Sequence, residues 1–180
     1  MRFVLLLLAI SASLTSLDVR VKTRGYFYAG TSAMTVTRAI KPRQLTLIAQ
    51  PDRSEAFEHH QGFRVLLVNE TAAPVDFESE DGRLNVIREA RDAAGRWRPI
   101  EYLPHSWCGN SYFRLSLPAG RYWSFPAPVY GGTLRTQMRF VLEQEGLRLV
   151  SNEFEGLINP EQFDKKQGHT PRNLMDPYDD

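Results

Sequence analysis

The tightest constraint on this chain is a two-residue rhythm. Thr136, Met138, Phe140 and Leu142 alternate with Gln137, Arg139 and Glu143, and Phe113, Leu115 and Leu117 alternate in the same way. Successive side chains of an extended strand point to opposite faces, so this pattern puts an apolar face on a core and a polar face toward water. Gly62 to Asn69 carries Phe63, Val65 and Leu67 on one face and Leu66 and Val68 on the other, which makes it the clearest strand and a central one.

Turn signals divide the strands. Asn69 to Pro74 separates the central strand from Val75 to Phe77, a pairing that reads as a meander ending before Asp81-Gly82. Leu84, Ile87 and Ala90 fall at near-helical spacing, but Asp92 to Gly95 leads straight into Arg96 to Glu101, so a strand hairpin explains both sides. Ser111–Leu117 and Arg121–Phe125 form a further pair around Pro118 to Gly120, and Thr136–Glu143 pairs with Leu147–Phe154 across Glu145-Gly146. Met34 to Gln50 reads as two short strands or one edge strand broken at Pro42, Pro51 to Ser54 as a turn, and Tyr26-Phe27-Tyr28 as a strand, with an exposed aromatic patch as the alternative. Roughly seven to nine short strands without a convincing long helix predict an all-β antiparallel β-sandwich of immunoglobulin or fibronectin type III-like architecture, with a β-barrel as the alternative.

At 180 residues the chain is long enough for one globular domain with its own core. Met1-Arg2, the apolar run Phe3 to Ile10 and the small residues Ser11 to Ser16 have the layout of a secretory signal peptide, with cleavage expected near Ser13 or Ser16. The apolar run is too short for a stable membrane span. The expected organisation is a signal peptide over 1–16, a β-sandwich over 17–163 and a polar, disordered tail over 164–180, with a periplasmic or extracellular location. Lys and Arg number 22 against 21 Asp and Glu, and no block of like charges offers a phosphate-binding arm, so nucleic acid is not an expected partner.

Cys108, the only cysteine, cannot form an internal disulfide; burial is the expected fate, and packing alone must hold the domain together. His105 stands three residues before it, a pair that could in principle form an activated nucleophile or begin a metal site with His59 and His60. Against both, the local signatures of catalytic cysteines are absent, and no histidine follows Cys108 before His169. Asp76, Glu78 and Glu80 would share one face of a strand, read as a solvated charged edge rather than a calcium site. Asn69-Glu70-Thr71 matches a glycosylation sequon in an expected surface turn.

Aromatic residues are the remaining clue. Trp97 and Trp123 lie within strands and are expected in the core, whereas Trp107 and Tyr130 stand in loops beside Pro and Gly and are expected at the surface. The candidate binding residues are therefore Trp107, Asn110, Tyr112, Tyr130 and His105, with no catalytic residue, metal or cofactor assigned. Trp107-Cys108-Gly109-Asn110-Ser111-Tyr112 and Ser151-Asn152-Glu153-Phe154-Glu155-Gly156 resemble exported bacterial proteins of unassigned function with immunoglobulin-like β-sandwiches, over roughly residues 62–163. The resemblance implies fold class and export only. The expected function is a secreted or periplasmic binding or structural module that is not an enzyme, with an unknown protein or a cell-surface glycan as partner. The alternatives are a carbohydrate-binding module using loop aromatics and a Cys/His-dependent hydrolase or metal-binding protein.

Overall fold

The computed structural model describes residues 14–25, 27–29, 34–35, 44–103 and 109–165. In chain order the strands are β1 (Thr23–Arg24), β2 (Met34–Thr35), β3 (Leu45–Phe57), β4 (His60–Asn69), β5 (Val75–Glu80), β6 (Arg83–Leu84), β7 (Val86–Arg91), β8 (Trp97–Pro99), β9 (Glu101–Tyr102), β10 (Tyr112–Leu117), β11 (Arg121–Pro128), β12 (Leu134–Gln144), β13 (Leu147–Val150) and β14 (Phe154–Ile158). One sheet runs β2-β11-β4-β3; a second runs β13-β12-β7-β8, with β14 also on β12; a third, smaller one runs β10-β5-β6. These three are antiparallel, and β1 and β9 add a short parallel pair. The chain is an all-β sandwich of several antiparallel sheets, with no closed barrel among the described residues.

The registers explain the core. Leu67 is paired with both Trp123 and Leu47, Val65 with Phe125 and Ala49, and Phe63 with Ala127, so the middle of one face of the first sheet is apolar. Met138, Phe140 and Leu142 of β12 and Phe154 of β14 supply the opposing face, all at most 6% exposed. The rings join the layers: Phe63 lies 6.1 Å from Phe140 and 5.2 Å from Phe154, while Phe27 lies 5.2 Å from Phe125 and 5.1 Å from Phe140. Burying one such ring stabilises by about 1.5–3 kcal/mol, so this cluster is a main contributor to the packing that holds the layers together. Gly132, at φ +154°, is where β12 enters: a Cβ there would lie 2.1 Å from the Ile158 carbonyl carbon.

β4 is central, between β3 and β11, and its strand alternation is as expected. The meander is not formed: β4 does not pair with β5, and β10 does not pair with β11. The first connection instead carries the chain from the first sheet to the third and the second carries it back, so β5 and β10 pair with each other, Val75 opposite Leu117. Asn69 holds the two crossings together. Its Nδ2 donates to the Ala73 and Leu117 carbonyls, each at 2.9 Å, and its carbonyl accepts from Gly120 N. The sequon asparagine is thus 0% exposed with its amide hydrogens in use, not a surface acceptor.

The β7–β8 hairpin is formed as expected, with Arg91 opposite Trp97. Asp92 organises its loop, accepting from Ala94 N and Arg96 N and from the Arg96 guanidinium. Trp97, expected in the core, is only half-buried, with Arg91 and Arg139 guanidinium carbons 4.5 and 4.1 Å from its ring centroid. Trp123 does enter the core, edge-on to Phe77 at 5.7 Å. Pro51 to Ser54 is no turn: β3 runs through it as an edge strand, and the ladder to β4 is interrupted only between Gln50 and Ser54. The expected return strand Leu147–Phe154 is split into β13 and β14. Of Tyr26-Phe27-Tyr28, Phe27 is buried and Tyr28 makes one isolated bridge to Arg83, while Tyr26 lies outside the described residues.

Candidate functional site

Two constellations bring polar chemistry together. The first is interior. Val86, Arg88 and Ala90 share the inward face of β7, which takes Arg88 into the core at 0% exposure. Glu101 of β9 meets it: Oε2 accepts from the Arg88 backbone N–H at 2.9 Å, and Oε1 lies 3.4 Å from Arg88 Nε, a charge contact without hydrogen-bond alignment. Tyr130 donates its hydroxyl to Glu101 Oε1 at 2.8 Å, and Thr23 Oγ1 lies 2.8 Å from the same hydroxyl. Arg88 Nη1 donates to the Pro128 carbonyl at 2.9 Å. Its guanidinium carbon lies 4.4 Å from the Tyr130 ring centroid and 4.8 Å from that of Phe140, where desolvated cation–π attraction reaches about 2 kcal/mol.

Burial raises the Glu101 carboxyl above its ordinary range, opposed by the Arg88 charge and by the hydrogen bonds from Tyr130 and the Arg88 backbone. An acid, a cation and a phenol in contact could suggest proton-transfer chemistry. Arg88, Glu101, Tyr130 and Thr23 are all at most 4% exposed, however, so the network is shielded from solvent and packs as an internal support. Tyr130, expected as a surface ring, is 2% exposed: its flanking Pro and Gly turn it inward, where Glu101 and Thr23 satisfy its hydroxyl.

The second constellation opens to solvent at the end of the β5–β10 ladder. Asp81 and Gly82, at φ +48° and +81°, make the two-residue turn from β5 to β6, and Asp81 N donates to the Ser111 carbonyl at 2.7 Å. There Tyr112 is opposite Glu80, Phe113 opposite Ser79 and Arg114 opposite Glu78. These side chains, with Asn85 and Leu103, line a cavity of about 380 Å³. Tyr112 and Phe113 are 49% and 45% exposed, unusually open for aromatic rings. Arg114 Nη2 lies 3.9 Å from Glu78 Oε1, and Ser79 Oγ donates to the Phe113 carbonyl at 2.7 Å.

Comparison with family models, with curated proteins and with solved structures found no match. The site therefore rests on its geometry alone.

Of the five residues the sequence singled out, Tyr112 lines the cavity, Asn110 is exposed in the 3₁₀ turn Gly109–Ser111 just before it, and Tyr130 lies in the core. Trp107 and His105, and Cys108 with them, lie outside the described residues. His59 is exposed at the β3–β4 turn and His60 is half-buried at the start of β4. The reading of Asp76, Glu78 and Glu80 as a solvated edge is corrected: β5 lies between β10 and β6, and exposure falls along it from Asp76 to a buried Glu80. Phe113, Glu78 and Glu80 were missed as site residues. Phe113 alternates with Leu115 and Leu117, but only Leu117 of the three is fully buried, because the strand leaves the core toward its Tyr112 end.

Proposed function

We propose that the protein is an exported β-sandwich module whose work is recognition rather than catalysis, with the cavity between Tyr112, Phe113 and the β5 carboxylates as its contact point. The observation that carries this reading is the division of roles between the two constellations. The buried acid, cation and phenol are consumed in the core, whereas the exposed aromatic pair borders a cavity of about 380 Å³, within the range of ligand-binding clefts. The N-terminal run Phe3 to Ile10 followed by small residues supports export. No helix among the described residues is long and apolar enough to cross a membrane.

The test is binding of the labelled, purified protein to intact cell surfaces, compared with a Tyr112→Ala/Phe113→Ala double variant. Loss of binding in a variant that melts like the parent supports the reading. Undiminished binding by the variant, or turnover of a substrate by the parent, overturns it.

A further inference from the structure

We propose that the cavity at the β5–β10 end takes an uncharged saccharide, an inference that rests on the recognition reading above. A strongly cationic ligand would enter beside Arg114, whose guanidinium already stands 3.9 Å from Glu78 and offsets that carboxylate. A phosphate or carboxylate ligand would meet Glu78 and Glu80 together on the opposite wall. With two carboxylates against one guanidinium the lining disfavours an anion and carries a single net negative charge, and it offers both halves of the hydrogen-bond code: carboxylates accept, the guanidinium donates, and the Asn85 amide does both. Sugar hydroxyls are donors and acceptors at once and can use such a lining fully. The Ser79 hydroxyl is directed to the Phe113 carbonyl and leaves that wall to its neighbours.

The apolar half of the site fits the same class. Tyr112 and Phe113 offer half-exposed rings, and Leu103 adds an aliphatic contact, so the C–H face of a pyranose would cover surface that water now wets. Tyr112 and Phe113 are adjacent on β10 and face opposite sides of the sheet, so a pyranose would stack on one rigid ring at the cavity while the other borders it from its own side. Glu80 sits at 8% exposure, so a hydroxyl reaching it would be shielded from bulk water.

The experiment is an amide-resonance titration of the ¹⁵N-labelled protein with neutral trisaccharides of glucose, mannose, galactose and N-acetylglucosamine, run beside trilysine and inorganic phosphate. The expected result is that at least one trisaccharide shifts the amides of residues 78–85 and 112–114, and that Phe113→Ala weakens it about tenfold or more while distant amides keep their positions. Glu78→Gln, which keeps an acceptor and removes the charge, should change saccharide affinity by less than Phe113→Ala does. If trilysine or phosphate shifts these amides and no trisaccharide does, the saccharide class is overturned while recognition at this cavity stands. If no probe shifts them, the saccharide inference is again overturned, and the cell-surface assay decides the recognition reading separately.

Discussion

Arg88 and Glu101 face each other across the middle of the fold, Nε to Oε1 at 3.4 Å, with side chains 0% and 1% exposed. Attraction in such a pair roughly repays the desolvation of two charges, so its net contribution is small; removing one partner leaves the other charge buried alone and costs about 3–5 kcal/mol. Glu101→Gln and Arg88→Met should each destabilise by that amount in urea titrations. The double variant should cost less than the sum of the two, a coupling that separates a true pair from two independent core residues.

Glu101 also sets a pH dependence. Burial raises its folded-state pKa above the ordinary 4.5, so the folded protein holds this proton more tightly than the unfolded chain does. Its contribution is fully present below the ordinary value and is lost as pH rises through the folded pKa. The stability difference between the parent and Glu101→Gln should therefore shift against the parent as pH climbs from about 4.5, when measured by denaturation at a series of pH values. A difference that moves in the parent's favour over that range would mean that the Arg88 charge and the donors outweigh burial.

Asn69 predicts two linked outcomes. Asn69→Ala removes a buried amide from the Ala73 and Leu117 carbonyls and should destabilise by about 1–3 kcal/mol in equilibrium unfolding. Folded protein made in a glycosylating host should show no sugar at Asn69 by intact mass, because both amide hydrogens are engaged in a fully buried residue.

The N-terminal segment gives a fourth. Gln61 N donates to the Thr15 carbonyl, Leu17 exchanges hydrogen bonds with Val129 and Gly131, and Asn159 Nδ2 donates to Asp18 Oδ1 and the Val19 carbonyl. Cleavage after Ser13 keeps all of these, whereas cleavage after Ser16 loses the Thr15 contact. On the proposal that the N-terminal segment is a signal peptide, the mass of the secreted protein should place its first residue at Leu14, and a start at Leu17 would contradict it.

Much of the fold was legible because local chemistry determined it. Met138, Phe140 and Leu142 could face only one way, and Asp92 with Gly95 closes the β7–β8 hairpin wherever the strands go. The sheet crossings were not legible, because Asn69 to Pro74 and Pro118 to Gly120 have the composition of hairpin turns. The crossing is accompanied by the long-range bond from Asn69 to Leu117, which no local composition announces. Arg88 was half-legible: the spacing Val86, Arg88, Ala90 places it inward, but the competing helical spacing of Leu84, Ile87 and Ala90 drew attention to other residues. The site itself was legible only at Tyr112, since loop aromatics announce exposure more simply than they show it. Tyr130 turned inward to Glu101, while Phe113 turned out to water from inside an alternating strand.

The central claim is that the titratable network supports the fold and the β5–β10 cavity does the binding. Melting temperature and cell-surface binding measured together for Glu101→Gln and for Tyr112→Ala/Phe113→Ala test it most directly. The account predicts that Glu101→Gln melts lower yet binds normally at a temperature where it is folded, and that the aromatic double variant melts normally yet no longer binds. Normal binding by the folded aromatic variant, together with lost binding by folded Glu101→Gln, would contradict it.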